Sequence, residues 1–389
     1  EFIEKFATEV LQERLYTEHA VMPHSRDAYA GILMNALDQA GGSQSVHNVL
    51  SSLTAEQKSG LLESLSQSGR AFENPAHDGV ARDPMATAID ATSRHGTSHD
   101  ALDMARFVSA HSTGNGLDNQ FYDFDNKPYP ERAEALSELF ITHGDTLLTD
   151  LTVANPTQTT GSSNDRSTQI GENLLVLSNL VRMTGLNPDN PRAGEVMDMI
   201  GAFTAEAIRT GNMPEQSDVN GDGRIDQLDI EALDAANGRA AMIGAVMQDA
   251  VSSGYADLRA DIAARDAFVG FLLDVAISAI PVAGDLAAKA ITDQVSDALG
   301  GLSKEVRDQI AESLAAMPKE ALTDAQGQLT DAAKEAIIDA LPEDYQYLEG
   351  IKSESNTFIE DVMLSGSVRD YQLTESMGEY RTYMDLARG

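Results

Sequence analysis

Asp218-Val-Asn-Gly-Asp-Gly-Arg-Ile-Asp-Gln-Leu-Asp229 is the stretch on which the reading of this chain turns. Counted along these twelve residues, oxygen-bearing side chains fall at positions 1, 3, 5, 9 and 12: Asp218, Asn220, Asp222, Asp226 and Asp229. Gly223 occupies position 6, where such a loop must turn sharply, and Arg224 offers its backbone carbonyl at position 7. A calcium ion takes about six to eight oxygens, and only a tightly wound loop supplies them from so short a segment. Beyond the loop, Ile230, Leu233, Ile243, Val246 and Met247 recur at helical spacing. The stretch therefore predicts a metal loop that feeds directly into a helix.

The loop resembles the EF-hand class, and more closely its dockerin-like variant. That variant carries Asp at the last position, as Asp229 is here, and has an interrupted approach, as Gly211-Asn-Met-Pro214 is here. The resemblance implies Ca2+ as ligand, held by Asp218, Asn220, Asp222, Asp226, Asp229 and the carbonyl of Arg224. A dockerin carries two such loops, whereas this chain has one clean copy. Calcium binding is therefore implied without cohesin recognition.

Outward from the loop, nearly every periodic segment is helical, and the expected fold is an all-α, bundle-like array of many helices. Ile3, Phe6, Val10 and Leu11 open the chain at helical spacing. Tyr29, Ile32, Leu33 and Leu37 mark a second helix, capped at Ser25 and ending at Gly41-Gly42. Thr54 and Gln57 form a capping box before Leu61, Leu62 and Leu65. Thr97 starts a helix bearing Leu102, Met104, Phe107 and Val108, and Pro130 sits in the first turn of another. The Thr, Ser, Asn and Gly of 152–168 read as a linker. A shift to Ala-rich composition near 255 marks a further boundary. The expected domains are 1–151, the linker 152–168, 169–254 with the loop, and 255–389.

Composition bounds the function. The chain has 389 residues, 5% aromatics and no Trp, so Ala, Leu, Ile and Met must fill the core. Its formal net charge of −35 repels nucleic acid and anionic lipid, and neither is an expected partner. Absence of Cys rules out disulfides and thiol chemistry. Free calcium is plentiful outside cells, so the loop points to a secreted or cell-surface setting. The first residues, Glu1-Phe2, read as the start of a segment cut from something larger.

The most apolar run is Phe268–Ile280, thirteen residues with one charge, Asp274. A membrane span needs about twenty, so the run predicts a central buried helix. A membrane-inserting hairpin over 268–290 is the alternative. The following turn, Leu273-Asp-Val-Ala-Ile-Ser-Ala-Ile-Pro-Val-Ala-Gly-Asp285, is similar to an apolar stretch in pre-toxin regions of bacterial polymorphic toxins. Gly238–Met247 is likewise similar to helical middle domains of such exported proteins. The resemblance implies a non-catalytic segment that carries or packages a toxic tip.

Catalytic signals are sparse. All eight His lie before residue 144: His19, His24, His47, His77, His95, His99, His111 and His143. His95 and His99 have one-turn spacing, but the Glu of a zinc-protease H-E-x-x-H is missing. Gly96-Thr-Ser98-His-Asp100 lacks the final Gly and the preceding strand of a nucleophile elbow. Asp123, Asp125, Asn126 and Glu131 offer oxygens for a second cation, but Pro128 and Pro130 break the loop pattern. The expected function is a non-enzymatic, calcium-stabilised helical module of a large exported bacterial protein. Its partner is another protein or another domain of the parent chain. A hydrolase using His95, His99, Asp100 and Asp103 is the alternative of a different class.

Overall fold

The computed structural model describes residues 2–11, 23–72, 82–112, 120–122, 128–153, 163–187, 189–211, 213, 217–260, 262–278, 288–298, 302–323, 329–341 and 370–388. The fold is all-α. Among the described residues, extended pairing is confined to two isolated bridges, Tyr122 with Pro128 and Thr323 with Leu329. The chain divides into two compact units. One is Glu1–Leu147 with Asp189–Arg192, and the other is Leu148–Pro188 with Ala193–Gly389.

The first unit holds α1 (Phe2–Val10), α2 (Pro23–Ser52), α3 (Ala55–Phe72), α4 (Pro84–His95), α5 (Ser98–His111) and most of α6 (Pro130–Leu151). Local signals set the helix starts. Gln57 N–H donates to the Thr54 hydroxyl at 3.3 Å, and Thr54 N–H donates to the Gln57 side chain at 3.1 Å. Thr97 and Asp100 form the same reciprocal box ahead of α5. Asp83 caps α4 by accepting from Met85 and Ala86 N–H at 2.7 and 3.2 Å. The first limb of α2 ends at Gly42 as expected: its φ of +69° is not helical, and beyond this kink a second limb runs on to Ser52. One expectation needs correction. Leu37 is buried as expected, but it is joined by Ala30 and Met34, while Tyr29 and Ile32 are 58% and 59% exposed. Both sets fit a helical period, and only the neighbouring helices decide which one faces inward.

The buried Arg132 organises this unit. Its Nε donates to Asp83 Oδ2 at 2.7 Å, and its Nη2 donates to the Ser66 carbonyl at 3.0 Å. Its Nη1 donates to the Gln120 carbonyl. The guanidinium also lies 4.8 Å from the Tyr129 ring centre and 5.4 Å from that of Phe121. A guanidinium can leave water only when its donors are met this completely.

The second unit holds α7 (Ser163–Met183), α8 (Ala193–Gly211), α9 (Gln227–Ala260), α10 (Ile262–Ser278), α11 (Ala288–Ala298), α12 (Lys304–Ala315), α13 (Lys319–Leu322), α14 (Asp331–Asp339) and α15 (Asp370–Arg388). Its centre is α9 and α10. Residues 240–243 and 245–247 of α9 are buried, as are Phe268, Val269, Phe271, Leu272, Leu273 and Val275 of α10. A helix apolar on every side needs neighbours on every side. Helix α8 packs against both α9 and α10. The C-terminal α15 lies so close on α7 that a Cβ on Gly171 would come within 2.2 Å of the Tyr383 carbonyl. Among the described residues no helix is long and apolar enough to cross a membrane. Residues 279–287 of the expected hairpin lie outside the described residues.

Residue 255, placed at a boundary by composition, lies inside α9, and 163–168 of the expected linker belong to α7. Residues 154–162 lie outside the described residues. A change from mixed to Ala-rich composition does not break a helix, since both sides are made of good helix formers.

Candidate functional site

The twelve-residue loop follows the end of α8 and runs into the first turn of α9. Gly221 and Gly223 adopt φ of +72° and +82°, a left-handed winding that side-chain-bearing residues rarely take. Around these two glycines the loop folds onto its own carboxylates. Asp218 accepts Asp222 N–H at 3.1 Å and Gly223 N–H at 2.8 Å. Asn220 accepts Asp222 N–H at 2.9 Å, and Asp222 accepts Arg224 N–H at 2.8 Å. Asp226 accepts Leu228 N–H at 2.9 Å and so caps α9.

Asp229 closes the loop. Its Oδ1 accepts Val219 N–H at 2.8 Å and Asn220 N–H at 3.1 Å, and its Oδ2 accepts Asp226 N–H at 2.8 Å. One carboxylate thus ties the start of the loop to its end from the first turn of a helix. Asp229 is 0% exposed, whereas Asp218, Asn220, Asp222, Arg224 and Asp226 face solvent. The amides of Asp226, Asn220 and Val219 hold its carboxyl below the usual carboxylate range. Among the described residues no cationic side chain pairs with it.

The donor set fits a hard cation in kind: four carboxylates, one amide oxygen and the carbonyl of Arg224. A carboxylate has about four lone-pair sites, so those engaged by amides retain capacity for a metal. The side chains are not drawn to one point. Among the described residues no three His, Cys, Asp or Glu are gathered closely enough to hold an ion. The position-8 residue, Ile225, is 59% exposed.

The other candidates are distributed differently from expectation. His99 is exposed and lies 3.7 Å from Asp103, one turn on. His95 turns instead to α2, with its Nε2 2.9 Å from the Ser43 hydroxyl. Its ring centre is 6.3 Å from that of His47. Asp100 is committed to the Thr97 cap and to Lys58 at 3.1 Å. Burial alone would raise its carboxyl, but hydrogen bonds from Thr97 and Lys58 outweigh that and hold it at about 2. The expected group of His95, His99, Asp100 and Asp103 is therefore split between separate partners. His111 contacts the Phe107 carbonyl and His143 the Ser93 carbonyl. Glu131 accepts Asp83 N–H at 2.8 Å, while Asp123, Asp125 and Asn126 lie outside the described residues. Sequence reasoning missed the approach of His47 to His95, because no local pattern links positions so far apart. No protein-family model matches the chain, and neither do curated proteins or solved structures.

Proposed function

We propose that the chain is a non-enzymatic, calcium-stabilised helical module of a large exported bacterial protein, serving scaffolding, packaging or translocation beside a toxin or adhesin. The observation that carries this reading is Asp229. It is buried, ionised and held by amides alone, in a loop where Asp218, Asp222 and Asp226 add three more negative charges against Arg224. A cation drawn into that loop would relieve the repulsion and fix the first turn of α9, the helix on which α7, α8 and α15 pack. The ion would act as a staple: Asp218, Asn220, Asp222, Asp226, Asp229 and the Arg224 carbonyl hold it, and it supplies charge and order, with no reaction. The acidic composition and the apolar sequence Leu273–Asp285 support an exported, toxin-associated setting, and the partner is a protein or a neighbouring domain.

Thermal unfolding in excess calcium and then in chelator tests the staple. The melting temperature should fall on chelation and recover on adding calcium back, and Asp229→Ala should respond to neither. Identical melts for the unsubstituted chain in the two buffers would overturn it. The sequence adjoining this segment tests the setting: adhesive repeats or a toxic catalytic tip sustain it, and a cytosolic metabolic enzyme fused there would end it.

A further inference from the structure

We infer that His47 and His95 form a site for a divalent transition-metal ion of the Cu2+, Ni2+ or Zn2+ class, clipping the second limb of α2 to the end of α4. His47 lies one turn beyond Ser43 and one turn before Ser51 on that limb, and His95 is the last residue of α4. The kink at Gly42 separates this limb from the first half of α2, so its direction is set independently.

The ring centres are 6.3 Å apart with planes inclined at 43°. Metal–imidazole bonds run about 2.0–2.1 Å, so two rings sharing a tetrahedral ion have centres roughly 5 Å apart. Closing the difference needs a shift of about 1 Å, which the exposed His95 can make by turning its side chain. Each ring is already steadied by a hydroxyl: Ser43 Oγ is 2.9 Å from His95 Nε2, and Ser51 Oγ is 3.2 Å from His47 Nε2. With Nε2 so engaged, Nδ1 of each ring is the nitrogen left for a metal. A polar group on the other nitrogen fixes tautomer and ring angle, which a metal-binding imidazole requires. Water completes the coordination.

Charge and protonation agree with this use. Burial pushes the His47 imidazole below its usual value; Asp100 opposes that, and His95 and Lys58 add to it. Imidazole binds metal only when neutral. Asp100 is not counted as a ligand, since Thr97 and Lys58 hold its oxygens. Two nitrogens without an oxygen cage select transition metals over Ca2+ or Mg2+, so the pair and the acidic loop take different ions. The site stands independently of the calcium reading.

The full chain, stripped of metal and then saturated with calcium to occupy the acidic loop, is titrated with Zn2+ and with Ni2+ by calorimetry. One transition-metal ion per chain should bind, with affinity falling about tenfold or more in His95→Asn and in His47→Gln. His99→Ala, which removes the exposed one-turn pair with Asp103, should leave binding unchanged, as should Asp229→Ala. Zn2+ should shift the ring resonances of His47 and His95 together in the unsubstituted protein, a readout that needs no variant. Undiminished affinity in His95→Asn, or ring shifts at His99 instead, would overturn the assignment.

Discussion

Asp83 and Asp229 are both carboxylates withdrawn from solvent at the start of a helix, yet the chain balances them in different ways. Asp83 meets the guanidinium of Arg132 at 2.7 Å, and that guanidinium is itself saturated by carbonyls of Ser66 and Gln120 and flanked by two aromatic rings. Asp229 meets three backbone amides and no cationic side chain among the described residues. Amide dipoles stabilise a carboxylate but leave its net charge in place. Order around Asp83 is therefore built into the sequence, whereas Asp229 keeps a charge that no side chain among the described residues balances. That difference separates a structural anchor from the proposed calcium loop.

The largest effect expected from this contrast comes from removing the internal cation. Arg132→Ala strands the Asp83 carboxylate and two carbonyls, and it should destabilise the first unit by about 3–5 kcal/mol in a denaturant titration. Arg132→Lys should recover only part, since an ammonium cannot reproduce the planar fork. A loss below about 1 kcal/mol for Arg132→Ala would show that the pair is not the anchor described.

The external cation comes next. Calcium at a thousandfold excess over its dissociation constant should stabilise the second unit by about 4 kcal/mol, read from denaturation with and without chelator. A gain of the same size in Asp229→Ala would place the ion elsewhere.

A smaller effect concerns the cap of α5. Thr97→Ala should cost about 1 kcal/mol in the first unit, measured by thermal melting. Asp100 gives that cap a pH signature. Its folded-state carboxyl is depressed to about 2, so its contribution is complete above the ordinary carboxylate range and is lost as pH falls through that range toward 2. Asp100→Asn should flatten the acid limb of the stability profile over that window. Asp229 is depressed in the same direction, so without calcium the second unit should also weaken as pH falls below the ordinary carboxylate range. An acid limb unchanged in Asp100→Asn would deny Asp100 this role.

The smallest effect sharpens the contrast most. Asp222→Asn removes one of the crowded charges and should raise the stability of the calcium-free protein by a few tenths of a kcal/mol. The same change should reduce the calcium-induced gain. Opposite signs in the two buffers are expected for a cation loop, and equal losses in both would mark Asp222 as merely structural.

How far these features could be read in advance depends on how local they are. Thr54 with Gln57, Thr97 with Asp100, and Pro130 announce helix starts because donor and acceptor lie within one turn. The acidic loop is legible for the same reason: every donor lies within twelve residues, and Gly223 marks the turn. Arg132 carried no such signal, since its partners at Ser66, Asp83 and Gln120 come from separate segments. The pairing of His47 with His95 was equally silent. On α2 Leu37 faces inward as expected, but Tyr29 and Ile32 were misread because they fit the helical period as well as Ala30 and Met34 do.

By itself, the sequence determined that the chain is helical, where several helices begin, and that one loop carries the oxygens a hard cation takes. Those properties follow from hydrogen bonds and periodicities spanning a few residues. Only the tertiary structure decided that Asp229 is buried while Asp218, Asn220, Asp222 and Asp226 are exposed, that α9 runs unbroken past residue 255, and which basic or imidazole groups meet which acids. Burial and charge pairing depend on neighbours far away in the chain, and folding alone brings those neighbours together.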